Sequence, residues 1–173
     1  MQEIIKQVAH FMAVAARTAP KTKGEDFVTV KVLDKEETEK LGEAMINYGR
    51  EKGIAGFIRD GQNVKDSEAV LLLGIKDATP AGLNCGACGF SSCSELQPRE
   101  MKDFKGPQCV LRVLDLGIAL GSAVKTASIF NVDNRIMYRI GVVARLSGVC
   151  NDDLVMGIPL SAYGKNIYFD RKG

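Results

Sequence analysis

The chain has 173 residues, of which 46% are hydrophobic and 25% charged, and its 23 basic and 21 acidic side chains leave a net charge of +2. That balance excludes the dense positive field of a nucleic-acid binder or of a protein held on anionic lipid. The length predicts one domain, residues 1–173, with enough core to fold without metal or disulfide staples.

Residues 3–17 predict a helix, because Ile4, Val8, Phe11, Met12 and Ala15 recur at helical spacing; Pro20 and Gly24 end it. Residues 27–33 alternate apolar and polar side chains, as a half-buried strand does. Asp34 followed by Glu37 is a capping-box pattern, and Leu41, Ala44, Met45 and Tyr48 give the next helix its apolar face, with Gly53 as C-cap. Residues 54–67 are polar and carry no clear period. Residues 69–75 are short and continuously apolar, which predicts a central strand.

Residues 76–107 are rich in Gly, Pro and Ser and predict an irregular segment. From Cys109 to about Ser128 apolar residues fall nearly all round a long helix, which predicts burial on most sides. Gly117 and Gly121 within it predict close packing against another helix. Asp115 in that helix predicts a pairing with Arg112 or Lys125, ahead of the alternative that it lines a cofactor groove. Residues 131–134 predict a loop, residues 135–146 a helix with Arg135 and Arg139 on its surface face, and residues 153–159 a last strand. The longest apolar run is strand-sized, and Met1–Lys6 lacks a secretory pattern. A cytoplasmic protein without membrane or nucleic-acid partners is the expectation.

Four of the five cysteines crowd between residues 85 and 109. Cys85, Cys88 and Cys93 follow a C-x2-C-x4-C spacing, and Cys109 comes later. Three thiolates from one loop and a fourth from elsewhere suit the four corners of an iron–sulfur cubane. Gly86 and Gly89 accept left-handed backbone and let amide N–H groups approach cluster sulfide. Cys109 opens a helix, where the positive end of the dipole favours thiolate. A four-cysteine zinc site remains the alternative on spacing, although zinc knuckles usually come as two C-x2-C pairs. Cys150 reads as a buried free thiol. His10 is the only histidine, which argues against hydrolase triads.

The stretch from Leu83 through Cys93 to Cys109 resembles the [4Fe–4S] module of corrinoid iron–sulfur proteins and of electron-transport complex B subunits. All four ligand positions of that motif match, and the resemblance implies an iron–sulfur module at residues 83–109. Residues 15–21, 116–128 with 131–135, and 157–161 with 164–171 resemble a family of ferredoxin-domain proteins of anaerobic bacteria and archaea. Ala15-Ala16-Arg17-Thr18-Ala19-Pro20, with the strand and helix after it, resembles the opening of FMN-dependent nitroreductases. That resemblance implies an α+β fold, a small mostly antiparallel sheet flanked by helices, and a homodimer with flavin at its interface. The basic opening that holds flavin phosphate in that family is absent here. Lys21, Lys23, Lys165 and Arg171 are the candidates for an FMN phosphate site, against the plainer reading of solvated surface charge.

Three functions follow as expectations. The first is a redox protein that binds one [4Fe–4S] cluster and exchanges electrons with a partner protein or a flavin. The second is a zinc-stabilised interaction module. The third is a flavoenzyme whose cluster relays electrons to FMN.

Overall fold

The computed structural model describes residues 1–169. Helix α1 spans Gln2–Thr18 and strand β1 spans Val28–Leu33. Helix α2, Lys35–Lys52, begins on the capping box that the sequence predicts. The Asp34 carboxylate accepts from the Glu37 N–H at 3.0 Å, and Glu37 accepts from the Asp34 N–H at 3.1 Å. These bonds satisfy amides that the helical ladder cannot reach. Gly53 ends the helix in the left-handed conformation, φ 67.

Residues 54–67, where the sequence shows no clear period, contain helix α3, Ala55–Lys65. It packs on α2 through glycines. A Cβ at Gly42 would lie 2.8 Å from the Gly61 carbonyl oxygen, and a Cβ at Gly61 would lie 2.8 Å from that of Gly42. The two backbones touch, so contact between helices holds a segment that its own polarity does not advertise.

Strand β2, Ala69–Ile75, is buried at every position. A small hairpin follows, β3 (Arg99–Glu100) with β4 (Lys105–Gly106). Next come helix α4 (Val110–Ile129), strand β5 (Asp133–Asn134), helix α5 (Tyr138–Leu146) and strand β6 (Leu154–Ser161). The main sheet has the order β1-β2-β6-β5, antiparallel throughout. The region predicted as a loop thus contributes β5, and α5 starts later than predicted because Met137 first bridges to Gly157 of β6.

The central strand explains the layers. Leu71, Leu73 and Ile75 face α1 and α4, packing with Val8, Met12, Leu116 and Ala123. Val70 and Leu72 face α2, α3 and α5, packing with Leu41, Met45, Phe57 and Val143. A strand covered on both faces has no polar side to show, hence its uninterrupted apolar run. Tyr168, in a short turn after β6, closes the second layer by a 2.8 Å hydrogen bond to Ser67.

Helix α4 departs from expectation. Leu114, Ile118 and Ile129 are 56%, 45% and 66% exposed, while Arg112 and Asp115 are buried. The helix lies over one face of the sheet with α1 alongside, so only one of its sides is covered. Gly117 and Gly121 sit on the open side, where an added Cβ would meet nothing within 4 Å. Among the described residues they pack against no other helix. Arg139 is not a free surface cation either: it pairs with buried Asp60 at 2.9 Å.

Among the glycines of the described residues, the closest approach is that of α5 to β6. A Cβ at Gly141 would come within 1.8 Å of the Val155 carbonyl oxygen. Gly141→Ala is expected to destabilise the protein by about 1–3 kcal/mol, since neither backbone can yield. The shift in urea midpoint relative to wild type measures it.

Candidate metal centre

The chain leaves β2 at Ile75 and crosses an irregular segment before it returns to α4. Several contacts tie this segment to the body. The Asp77 N–H donates to buried Asp153 at 2.9 Å, and the Lys105 N–H donates to the Asp153 carbonyl at 2.9 Å. Arg145 reaches Glu100 at 3.0 Å, and Tyr138 bonds the Asp103 carboxylate. Exposed ion pairs alone add little. The buried Asp153 with its backbone donors is the firmer anchor.

Within the segment the backbone turns sharply at four successive places. Gly82, Asn84, Gly86 and Gly89 have φ of 71, 46, 73 and 90. The Gly89 N–H donates to the Gly86 carbonyl at 2.9 Å, closing a turn with Ala87 and Cys88 at its head. The glycines adopt these angles without the steric cost that a side chain adds, and asparagine is the residue that tolerates them next best.

Asn84 also clamps the loop. Its Oδ1 accepts from the Cys93 N–H at 2.8 Å, while its own N–H donates to the Cys93 sulfur at 3.3 Å. The sequence motif includes this asparagine but not its role. The signal in the sequence is a small polar residue directly before the first cysteine.

Cys85, Cys88, Cys93 and Cys109 line one narrow cavity, closed by apolar groups that include Ala81, Phe90 and Leu96. All four are free thiols: Cys85 is exposed, Cys88 and Cys93 half-buried, Cys109 buried. Cys109 stands at the N-cap of α4. Burial pushes its thiol up, but N–H groups of Ala81, Arg112 and Leu111 face the sulfur, and with the Arg112 charge they bring it below the ordinary thiol value. The first-turn amides act as the positive helix end, without closing a full capping hydrogen bond. Among the described residues, no three Cys, His, Asp or Glu side chains converge closely enough to hold a single metal ion. The fifth cysteine, Cys150, lies apart, packed against the second layer of the core, with burial raising its thiol.

The cations proposed for flavin phosphate are dispersed. Lys21 donates to the Ala16 carbonyl at 3.1 Å and to the Arg17 carbonyl, finishing α1, and its side chain is 6% exposed. Lys23 is exposed in the next turn, with its ammonium near Gly82 of the cysteine segment. Both lie toward the Val28↔Ile75 end of the sheet, whereas Lys165 follows the Ala69↔Leu160 end. Arg171 lies outside the described residues.

Residues 105–171 match the family described as uncharacterised proteins containing a ferredoxin domain. The match takes in Cys109 but not the three earlier cysteines. Over 171 residues the chain is 50% identical to an uncharacterised protein of Archaeoglobus fulgidus, covering 98% of this chain and 92% of that one. The chain belongs to this ferredoxin-domain family.

Its fold is that of the nitroreductases. The FMN-dependent nitroreductase NfnB of Mycobacterium smegmatis, in complex with NADPH, superposes with a TM-score of 0.62 at 12% identity, over 96% of this chain and 84% of that one. NfrA1 of B. megaterium gives 0.58 at 12% identity, over 96% of this chain and 61% of its own. The NADPH:FMN oxidoreductase of Vibrio harveyi, complexed with NAD+, gives 0.56 at 13% identity, over 92% and 60%. The chain thus spans less than two thirds of the last two enzymes. No helix among its described residues is long and apolar enough to cross a membrane.

Because the Asn84 Oδ1 holds the Cys93 N–H, and only this one of the two bonds is lost in Asn84→Ala, that variant is expected to retain iron supplied under anaerobic conditions roughly 10-fold less well, at the lower end of the usual cost of removing a group that orients a ligand. Iron release to a chelator, followed by absorbance under anaerobic conditions, measures it.

Proposed function

We propose that this protein is an iron–sulfur redox protein in which Cys85, Cys88, Cys93 and Cys109 hold one [4Fe–4S] cluster. The observation that carries the reading is the shared cavity: the fold brings Cys109 back to the three loop cysteines. Family membership supports a redox role in general. A cluster of this kind takes up and returns single electrons.

The residues divide the work. Cys109 is held from the core by α4, with amide dipoles aimed at its sulfur. Asn84 and the left-handed glycines set the loop that carries the other three thiols. Phe90, Leu96 and Ala81 shield the inner side from water. Cys85 is exposed, which gives a partner protein an approach for electron exchange. Residues 83–109 act as an inserted cluster module within a single domain.

Zinc fits less well. Zinc knuckles usually come as two C-x2-C pairs, and Cys85 and Cys88 form only one here.

A second reading follows from the FMN-binding enzymes among the fold neighbours: the cluster would serve a flavin. The proposed phosphate ligands Lys21, Lys23 and Lys165 do not form one site within a chain, so no step is assigned to flavin.

We also propose that the protein is a homodimer. Ile4, Phe11 and Val14 of α1 and Leu114, Ile118 and Ile129 of α4 form an exposed apolar face, and Gly117 and Gly121 allow a second backbone to come close.

Protein purified without oxygen is expected to be brown, to bleach with dithionite, and to contain iron and sulfide in equal amounts; Cys109→Ser should lose most of the colour. Zinc in place of iron would decide for the interaction module, and a yellow fluorescent compound released by heat would decide for the flavoenzyme. Ile118→Glu is expected to convert a dimer to monomer in sedimentation, with the folded circular dichroism kept.

A further inference from the structure

Arg112 is a fully buried cation in the first turn of α4. Two segments, the turn between α1 and β1 and the cysteine loop, converge on its guanidinium. Nε donates to the Thr79 carbonyl at 2.9 Å, Nη1 to the Thr22 carbonyl at 2.9 Å, and Nη2 pairs with the Glu25 carboxylate. Asp115 lies 3.6 Å from Nη1, and the Phe27 ring stacks 4.7 Å from the guanidinium carbon. Burying a charge is costly unless its donors are spent, and the planar fork of arginine is what can serve three directions at once.

The position of this fork relates it to the cavity. Thr79 stands two residues before Ala81, whose N–H faces the Cys109 sulfur. The Arg112 side chain therefore fixes the loop on one side of that sulfur, while its backbone N–H faces the same sulfur from the helix. Its countercharges differ in kind. Asp115 is buried and held by the Thr22 N–H and hydroxyl, each at 2.8 Å. The Glu25 side chain is 50% exposed and reaches in from the turn between α1 and β1.

We propose that Arg112 is a positioning residue that sets the reduction potential of the cluster, with Glu25 as its adjustable countercharge. The proposal rests on the iron–sulfur reading. Four thiolates already make the site negative, and each electron taken up deepens that charge. A buried cation beside one thiolate favours the reduced state, and a carboxylate paired with that cation opposes it. Removing the two groups therefore moves the potential in opposite directions, which a purely structural role for either would not do.

The test is redox titration, by visible absorbance, of anaerobically loaded wild type, Glu25→Gln, Arg112→Lys and Arg112→Gln, each with iron and sulfide measured. Glu25→Gln is expected to shift the midpoint upward. Arg112→Gln is expected to shift it downward by more than 59 mV, a tenfold change in a one-electron equilibrium, and Arg112→Lys to recover at least half of that shift. Glu25 is partly exposed, so its variant decides the matter if Arg112→Gln does not fold. An unchanged or lowered midpoint in Glu25→Gln overturns the role of Arg112 alone. A wild type that takes up no iron and sulfide overturns the iron–sulfur reading beneath it.

Discussion

The site depends on one constraint: Cys109 is the N-cap of a helix whose far side is locked into the core. Leu116, Ala119, Ala123 and Ala127 bury that side against α1 and the sheet. At roughly 25 cal/mol per Å² of apolar surface removed from water, such a seam is not easily displaced. The position of Cys109 is therefore given by the fold, and the irregular loop must come to it. The helix end that carries it also favours thiolate over thiol.

From this anchor the loop becomes intelligible. Among the described residues its own small core is Ala81, Leu96, Phe90, Cys88 and Cys109, with Leu111 of α4 against it. Its shape is held by left-handed turns, by the Asn84 clamp and by the Arg112 fork, and its base is tied to the body through Asp153. On the iron–sulfur reading proposed above, such a segment would gain much of its order from the cluster, since metal binding and local folding are coupled. The framework beneath it shares its architecture with flavoenzymes, but a fold is a scaffold for many chemistries, and the proposed function rests on the cysteines rather than on the fold.

The sequence made visible what local rules control. The capping box at Asp34 and Glu37, the fully buried β2 and the cysteine spacing each rest on a few neighbouring residues. What it hid depends on distant partners. Helix α3 exists because Gly61 meets Gly42, a contact between helices that no periodicity within residues 54–67 announces. The exposed side of α4 looked like core because Leu114 and Ile118 are apolar, yet the fold leaves that side open. Arg112 read only as one of two candidate partners for Asp115. Its burial follows only once Thr22, Glu25 and Thr79 are brought around it.

The most direct measurement is iron-edge anomalous diffraction from crystals grown without oxygen. The account predicts a single multi-iron peak enclosed by the sulfurs of Cys85, Cys88, Cys93 and Cys109. A peak from one zinc ion, or iron bound with Cys109 left outside its coordination, would contradict it.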